Sequence, residues 1–244
     1  MTPEIDWAKY LPLIGDDLPD FDQEDVMTRC ALAVHTFLEK DVGFVRGVER
    51  RVEVDLGQTL PIQAVWDIEM GDAETARGIV DWKSSFESIV EEWQWRTSSA
   101  QYEVLYGRLP EFFEYRVLPP KGKARVIRVD PVPARARRET YDFFQPIDAY
   151  ISAAASGSAG GFWSRNFRAC KGCPGYIACR GEKPPETKFH GDHLSKSSAE
   201  QFLFCPESLR AGHKQQNRYM VRGLSMHRIL AEIWRDHALV GATK

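Results

Sequence analysis

Three β-prone runs in close succession, each stopped by a turn, constrain this chain more than any other feature. "GVERRVEVDLG" alternates in part and stops at Gly57. "IQAVWDIEMG" follows it, and "ARGIVDWKSS" comes after the short break "GDAE". Short runs joined by a hairpin-type connection pair with one another. The second run closes on Asp67 after "QAVW", and the third closes on Asp81-Trp82-Lys83. Strand side chains alternate with period two, so Asp81 and Lys83 share a face. If the two runs form a hairpin, Asp67 comes near Asp81. Two carboxylates and the intervening carbonyl of Trp82 are hard oxygen donors that suit Mg2+ or Mn2+. A cation held there generates hydroxide and stabilises a phosphoryl-type transition state, while a lysine orients the water or balances phosphate charge. An Asp-x-Lys triplet at a strand end is common and is usually a solvated ion pair.

The rest of the chain supplies helices around these runs. Asp22 can cap a helix over 23–40, whose Val26, Cys30, Ala33, Val34, Phe37 and Leu38 recur at helical spacing. A helical region rich in Trp and Glu covers about 87–108. "EFFEYRVLP" and "ARVIRVDPV" read as two more strands around "PPKGK", and 134–155 returns to helix. "SGSAGG" at 156–161 reads as linker, 181–193 as irregular, and 195–211 and 217–238 as helices. The order of elements predicts an α/β chain with a central mixed sheet flanked by helices. Two regions are expected, 1–165 and 166–244.

With 43% hydrophobic and 27% charged residues, the 244-residue chain can bury a substantial core. It has no apolar run near the 18 or more residues of a membrane span. The acidic start "MTPEIDWAKYLPLIGDD" lacks a basic n-region, so the expected location is cytoplasmic. A net charge of −3 gives no compositional support for nucleic-acid binding, which would need a local patch. The candidate patch is "ARARR", with Arg135, Arg137 and Arg138, preceded by Lys121, Lys123, Arg125 and Arg128. The alternative is a solvated helix start.

Of five cysteines, three fall within ten residues, as Cys170-x2-Cys173-x5-Cys179 in "NFRACKGCPGYIACRG". With Gly172, Pro174 and Gly175 to turn the chain, three thiolates at this density are suited to wrapping a metal. An odd, clustered set argues for metal over a disulfide framework. Spacing alone leaves zinc and iron–sulfur both open.

An upstream Glu, an Asp closing one strand and Asp-x-Lys closing the next resemble the PD-(D/E)xK nucleases. "VERRVEV…AVWDIE…GIVDWKSS" is similar to their RecB-like branch in particular. The resemblance implies a restriction-endonuclease-like core and DNA hydrolysis. Its upstream acid matches Glu49, with Glu53 as the neighbouring alternative. Two departures stand out. The branch carries a glycine before the first Asp where this chain has Gln63-Ala64-Val65-Trp66. It also places a Tyr four residues after a helix Gln, whereas Tyr106 follows Gln101 by five. Gln101 is the matching glutamine, to position the lysine or the DNA; a surface helix glutamine is the plain alternative.

The cysteine cluster, with an Asn ahead of it, resembles the C-terminal cluster of RecB-like, AddB-like and CRISPR-associated nucleases. That likeness implies a 4Fe–4S cluster whose fourth cysteine lies in a segment of the form S-x-S…C-P, followed by a Gly-x3-His helix with a metal-binding histidine. Here "LSKSSAEQFLFCPESLR" and "VRGLSMHRILAEIW" supply Cys205-Pro206 and Gly223-x3-His227, after the core instead of before it. The resemblance then implies a circular permutation, which is cheap where chain ends meet at the surface. It makes His227, with Asp67, Asp81 and the Trp82 carbonyl, the Mg2+ or Mn2+ set, and Cys170, Cys173, Cys179 and Cys205 an iron–sulfur clasp. The competing pair is Cys30 and His35, and a further alternative is a broken tandem copy over 188–244. The implied activity is an exonuclease acting on single strands or DNA ends, with a protein partner in a repair, phage recombination or CRISPR-type system. The alternative class is an inactive binding module of the same fold, stabilised by iron–sulfur or zinc.

Overall fold

The computed structural model describes residues 4–14, 18–84, 92–129, 136–155 and 218–240. Cys170, Cys173, Cys179, Cys205, Arg135 and the expected helix at 195–211 lie outside the described residues. By backbone proximity the chain forms two compact units, one of residues 1–52, 65–134 and 216–244, the other of 53–64 and 135–215.

Five strands form one mixed sheet in the order of the chain: β1 (Val45–Val54), β2 (Ile62–Gly71), β3 (Ala76–Lys83), β4 (Phe112–Val117) and β5 (Arg125–Val129). β2 and β3 are antiparallel across the short turn at 72–75, where Asp72 accepts from the amides of Glu74 and Thr75. That Asx-type capping is why "GDAE" makes a tight connection. β3 and β4 are parallel, which requires a crossover, and helix α2 (Glu92–Tyr106) lies in it. β5 returns antiparallel to β4. Gly71 stands at an irregularity in the β2–β3 register; a Cβ there would collide with the Thr75 carbonyl and lie 2.8 Å from the Ala76 Cα.

Helix α1 (Asp20–Ala33) continues through a π-helical stretch, Val34–Leu38, and a last turn, Glu39–Asp41. The sequence predicts Asp22 as its cap. Instead Pro19, with φ −57°, leads straight into the helix, and Asp20 and Asp22 fall in the first turn, where carboxylates complement the helix dipole. Helix α4 (Arg218–His237) packs against α1.

Together α1 and α4 cover one side of the sheet, where Ile68, Val80 and Trp82 join Val26, Cys30, Phe37, Leu38, Ile229, Ile233 and Trp234 in one buried cluster. Trp82 is its centre, meeting Phe37 edge-on at 5.6 Å and Trp234 at 5.1 Å between ring centroids. Arg116 of β4 lies 4.4 Å above the Phe37 ring and donates to Asp41, which also accepts from the Trp234 indole at 2.8 Å. These charges are buried but paired, the condition under which a core tolerates them.

Toward α2, Trp66 stacks on Tyr102 at 5.9 Å. Helix α3 (Ala136–Ala155), in the second unit, takes two amides of the β1–β2 connection on one carboxylate: Thr59 and Leu60 both donate to Asp148. No helix among the described residues is long and apolar enough to cross a membrane.

Candidate functional site

The β2–β3 ladder pairs Glu69 with Ile79 and Ile68 with Val80, so one further step sets Asp67 against Asp81. Asp67 lies within β2, which runs on to Gly71, and does not close the strand as the sequence suggests; it reaches across, and its Oδ2 accepts the Trp82 amide at 2.7 Å. On β3, Lys83 Nζ lies 2.9 Å from Asp81 Oδ2, as period-two alternation requires of residues two apart. The parallel pairing with β4 puts Tyr115 beside Asp81, and Lys83 sits 5.6 Å over the Tyr115 ring.

Helix α4 brings the histidine. Its apolar stripe of Met226, Ile229, Leu230, Ile233 and Trp234 is buried, which fixes the rotation of the helix. His227, at the margin of that stripe, lands with Nδ1 3.3 Å from Asp67 Oδ1. Gly223, one turn earlier, has open space where a Cβ would stand.

Four titratable side chains are thus confined together, each mostly screened from solvent. Burial and the Asp67 carboxylate push the Asp81 carboxyl up to about 6, against the pull of Lys83. Burial opposes charge on Asp67 too, but His227 and the Trp82 amide hold it below the ordinary carboxylate range. Burial likewise disfavours a charged His227, yet Asp67 and then Asp81 outweigh it and raise the ring to about 9. One carboxylate is fixed as an anion; its neighbour is an anion under repulsion.

Among the described residues, no three His, Cys, Asp or Glu side chains stand preassembled around a metal position. Asp67 turns to His227 and the Trp82 amide, and Asp81 turns to Lys83.

The other sequence candidates fall as follows. Gln101 is on α2 and fully buried, not a surface glutamine. Glu49 has a φ of 48°, a left-handed backbone that turns it out of the β1 alternation, and it pairs with Arg235 of α4 at 3.1 Å. Glu53 accepts from Gln63 at 3.1 Å. His35 is exposed, while Cys30 is fully buried with its thiol 3.9 Å from the Met226 carbonyl. Arg137 belongs to the first turn of α3, and Arg138 is exposed and paired with Asp142 at 3.1 Å.

Glu69 is the group that the sequence reading passes over. It is 2% exposed and takes the Arg50 guanidinium and the Tyr106 hydroxyl, which Arg50 also reaches. Tyr106, one place late for the expected motif, therefore ties α2 to β2. The available signal was the Asp67–Glu69 spacing of two on one strand.

No protein-family profile matches the chain, and no curated protein matches it. Among solved structures, the chain is similar to a Eubacterium rectale protein provisionally named an exonuclease, at 12% identity and a TM-score of 0.38. The similarity covers 62% of this chain and 61% of that one, so the chain spans less than two thirds of that protein's length.

Proposed function

We propose that this chain is a divalent-metal-dependent deoxyribonuclease, an exonuclease working on single strands or DNA ends. The observation that carries the reading is the convergence of Asp67, Asp81, Lys83 and His227 from β2, β3 and α4. The same residues carry the sequence resemblance to the RecB-like nucleases.

The donor set fits Mg2+ or Mn2+. Two carboxylates and a backbone carbonyl are suitable hard ligands, an imidazole joins them when the ion displaces its proton, and the burial and repulsion that lift Asp81 are what a cation offsets. Asp67, Asp81 and His227, with the Trp82 carbonyl, would hold the ion. Bound there, it supplies a nucleophilic hydroxide at neutral pH and neutralises charge on the phosphoryl oxygens. The protein does the rest. The Trp82 amide fixes the Asp67 carboxylate. Lys83, held beside Asp81 and over Tyr115, orients the attacking water and balances charge on the phosphate. Gln101 keeps the positioning role that the resemblance implies, and Glu49 that of the upstream acid.

Cys170, Cys173, Cys179 and Cys205 are proposed to hold a 4Fe–4S cluster that staples distant segments. DNA is proposed to lie along the basic stretch from Lys121 to Arg138, including Arg135, Arg137 and Arg138; Lys121, Lys123, Arg125 and Arg128 are exposed. Binding should weaken with salt.

The test uses the full chain, purified anaerobically, with Mn2+ or Mg2+ and end-labelled single-stranded and duplex DNA. Nucleotide release, reduced on the order of 100-fold or more in Lys83→Ala, is expected. Intact DNA under every ion and end structure would overturn the reading in favour of a binding module.

A further inference from the structure

The strand ends that carry Lys83 are clasped by a residue with no assigned role. Arg29 of α1 is 3% exposed. Its Nη1 donates to the carbonyls of Ser84 and Leu118, the residues just past β3 and β4. Between those carbonyls the Leu118 amide donates to the Lys83 carbonyl at 2.8 Å. One guanidinium therefore closes the ends of the two parallel strands at the point where Lys83 leaves the sheet.

The clasp extends to the histidine. Arg29 Nε donates to Asp25 at 2.8 Å. Asp25 also lies 3.2 Å from Arg222 of α4, and Arg222 is 3.6 Å from Asp22. Arg222 is five residues ahead of His227 on the same helix. The chain Ser84/Leu118–Arg29–Asp25–Arg222 thus joins the backbone of Lys83 to the helix of His227. A lysine at 29 could not repeat it, because three bonds leave Arg29 in a fixed fork toward three acceptors.

We propose that Arg29 is a positioning residue of the site, setting Lys83 relative to His227 through Asp25 and Arg222. The proposal rests on the hydrolytic reading above for its functional meaning. A misplacement of order 1 Å costs on the order of 100-fold in rate, so a loosened brace should lower the chemical step without weakening DNA binding.

The experiment compares the full chain with Arg29→Lys and Asp25→Asn. The second variant leaves both carbonyl bonds of Arg29 in place and removes the Asp25 charge that joins Arg29 Nε to Arg222, so it serves if Arg29→Lys does not fold. The readouts are the single-turnover cleavage rate, DNA affinity by anisotropy, and the NMR signals of the Trp82 amide and the His227 ring. Expected are a rate reduced on the order of 10- to 100-fold, an affinity within about threefold of wild type, and displaced Trp82 and His227 signals. A folded variant with wild-type rate and undisplaced signals overturns the proposal. If wild type itself does not cleave DNA, the hydrolytic reading falls alone: displaced signals then still support the brace, and undisplaced ones overturn it.

Discussion

Replacing Asp81 by Asn should make the metal-free protein more stable while destroying its proposed chemistry. Burial and the neighbouring Asp67 lift the Asp81 carboxyl from 3.8 to about 6. A folded-state value above the unfolded one means that the neutral form is favoured on folding. The contribution is therefore intact below pH 3.8 and lost as pH rises through 6. The rise corresponds to about 3 kcal/mol at pH 7.5, falling to about 1 kcal/mol at pH 4.5. The attraction of Lys83 is already inside that figure, since it is one of the influences on the carboxyl. Asparagine imitates the neutral form, so it should recover most of the loss. In a chain of this size about 3 kcal/mol raises Tm by roughly 6–12 °C. The assay is thermal and urea unfolding of both proteins in a chelator at pH 7.5 and pH 4.5. Added Mn2+ should then stabilise wild type more than Asp81→Asn, because a ligand that binds only the folded state adds to its stability. An Asp81→Asn protein no more stable than wild type at pH 7.5, or one whose gain is the same at both pH values, would refute the argument that burial and the Asp67 carboxylate together disfavour the charged Asp81.

Other consequences are open to simpler measurement. The His227 ring is raised from 6.5 to about 9, so its pairing with Asp67 stabilises fully below pH 6.5 and is lost as pH climbs through 9. Accordingly, the stability gap between wild type and His227→Gln should close between pH 6.5 and pH 9.5 in urea titrations. Arg116→Met leaves Asp41 buried without its ion partner and should cost about 3–5 kcal/mol, with part recovered in the double variant with Asp41→Asn. Gly71→Ala, driven into the Thr75 carbonyl, should cost about 1–3 kcal/mol in the same assay. Anaerobically purified protein should absorb near 400 nm (about four irons per chain). The band should be lost with Cys205→Ala and kept with Cys30→Ala, whose thiol is packed against the Met226 carbonyl; a colourless protein carrying one zinc would sink the iron–sulfur proposal.

The hairpin was legible because its signals are local. Alternation fixed the shared face of Asp81 and Lys83, and a short polar turn fixed the pairing that sets Asp67 opposite. His227 was reachable only through a motif, since nothing in local spacing announces that a helix 160 residues after Asp67 will meet it. Glu69 offered only its spacing of two from Asp67, and Arg50 and Arg29 offered no signal. Each looks like an ordinary charge in a strand or helix, and its pairing, with burial for Glu69 and Arg29, follows from partners supplied by other elements. Glu49 was legible as an acid on β1, but its positive φ, which turns it toward Arg235, is a property of the folded backbone that the residue type does not advertise. Asp22 shows the opposite failure: a good capping residue is passed over because Pro19 begins the helix three residues earlier.

The packing of α1 against α4 also has a bearing on the order of assembly. The contacts that complete the first core join residues far apart in the chain: 193 positions separate Asp41 from Trp234, and 196 separate Cys30 from Met226. Contacts of such sequence separation slow folding, and they form only after both partners have left the ribosome. Asp67, Asp81 and Lys83 are all synthesised long before His227, and until α4 arrives Asp67 has no imidazole beside it. A nascent chain arrested before residue 218 carries the acids and the lysine of the site without its histidine, so the complete site is a property that the protein acquires only after translation has passed α4.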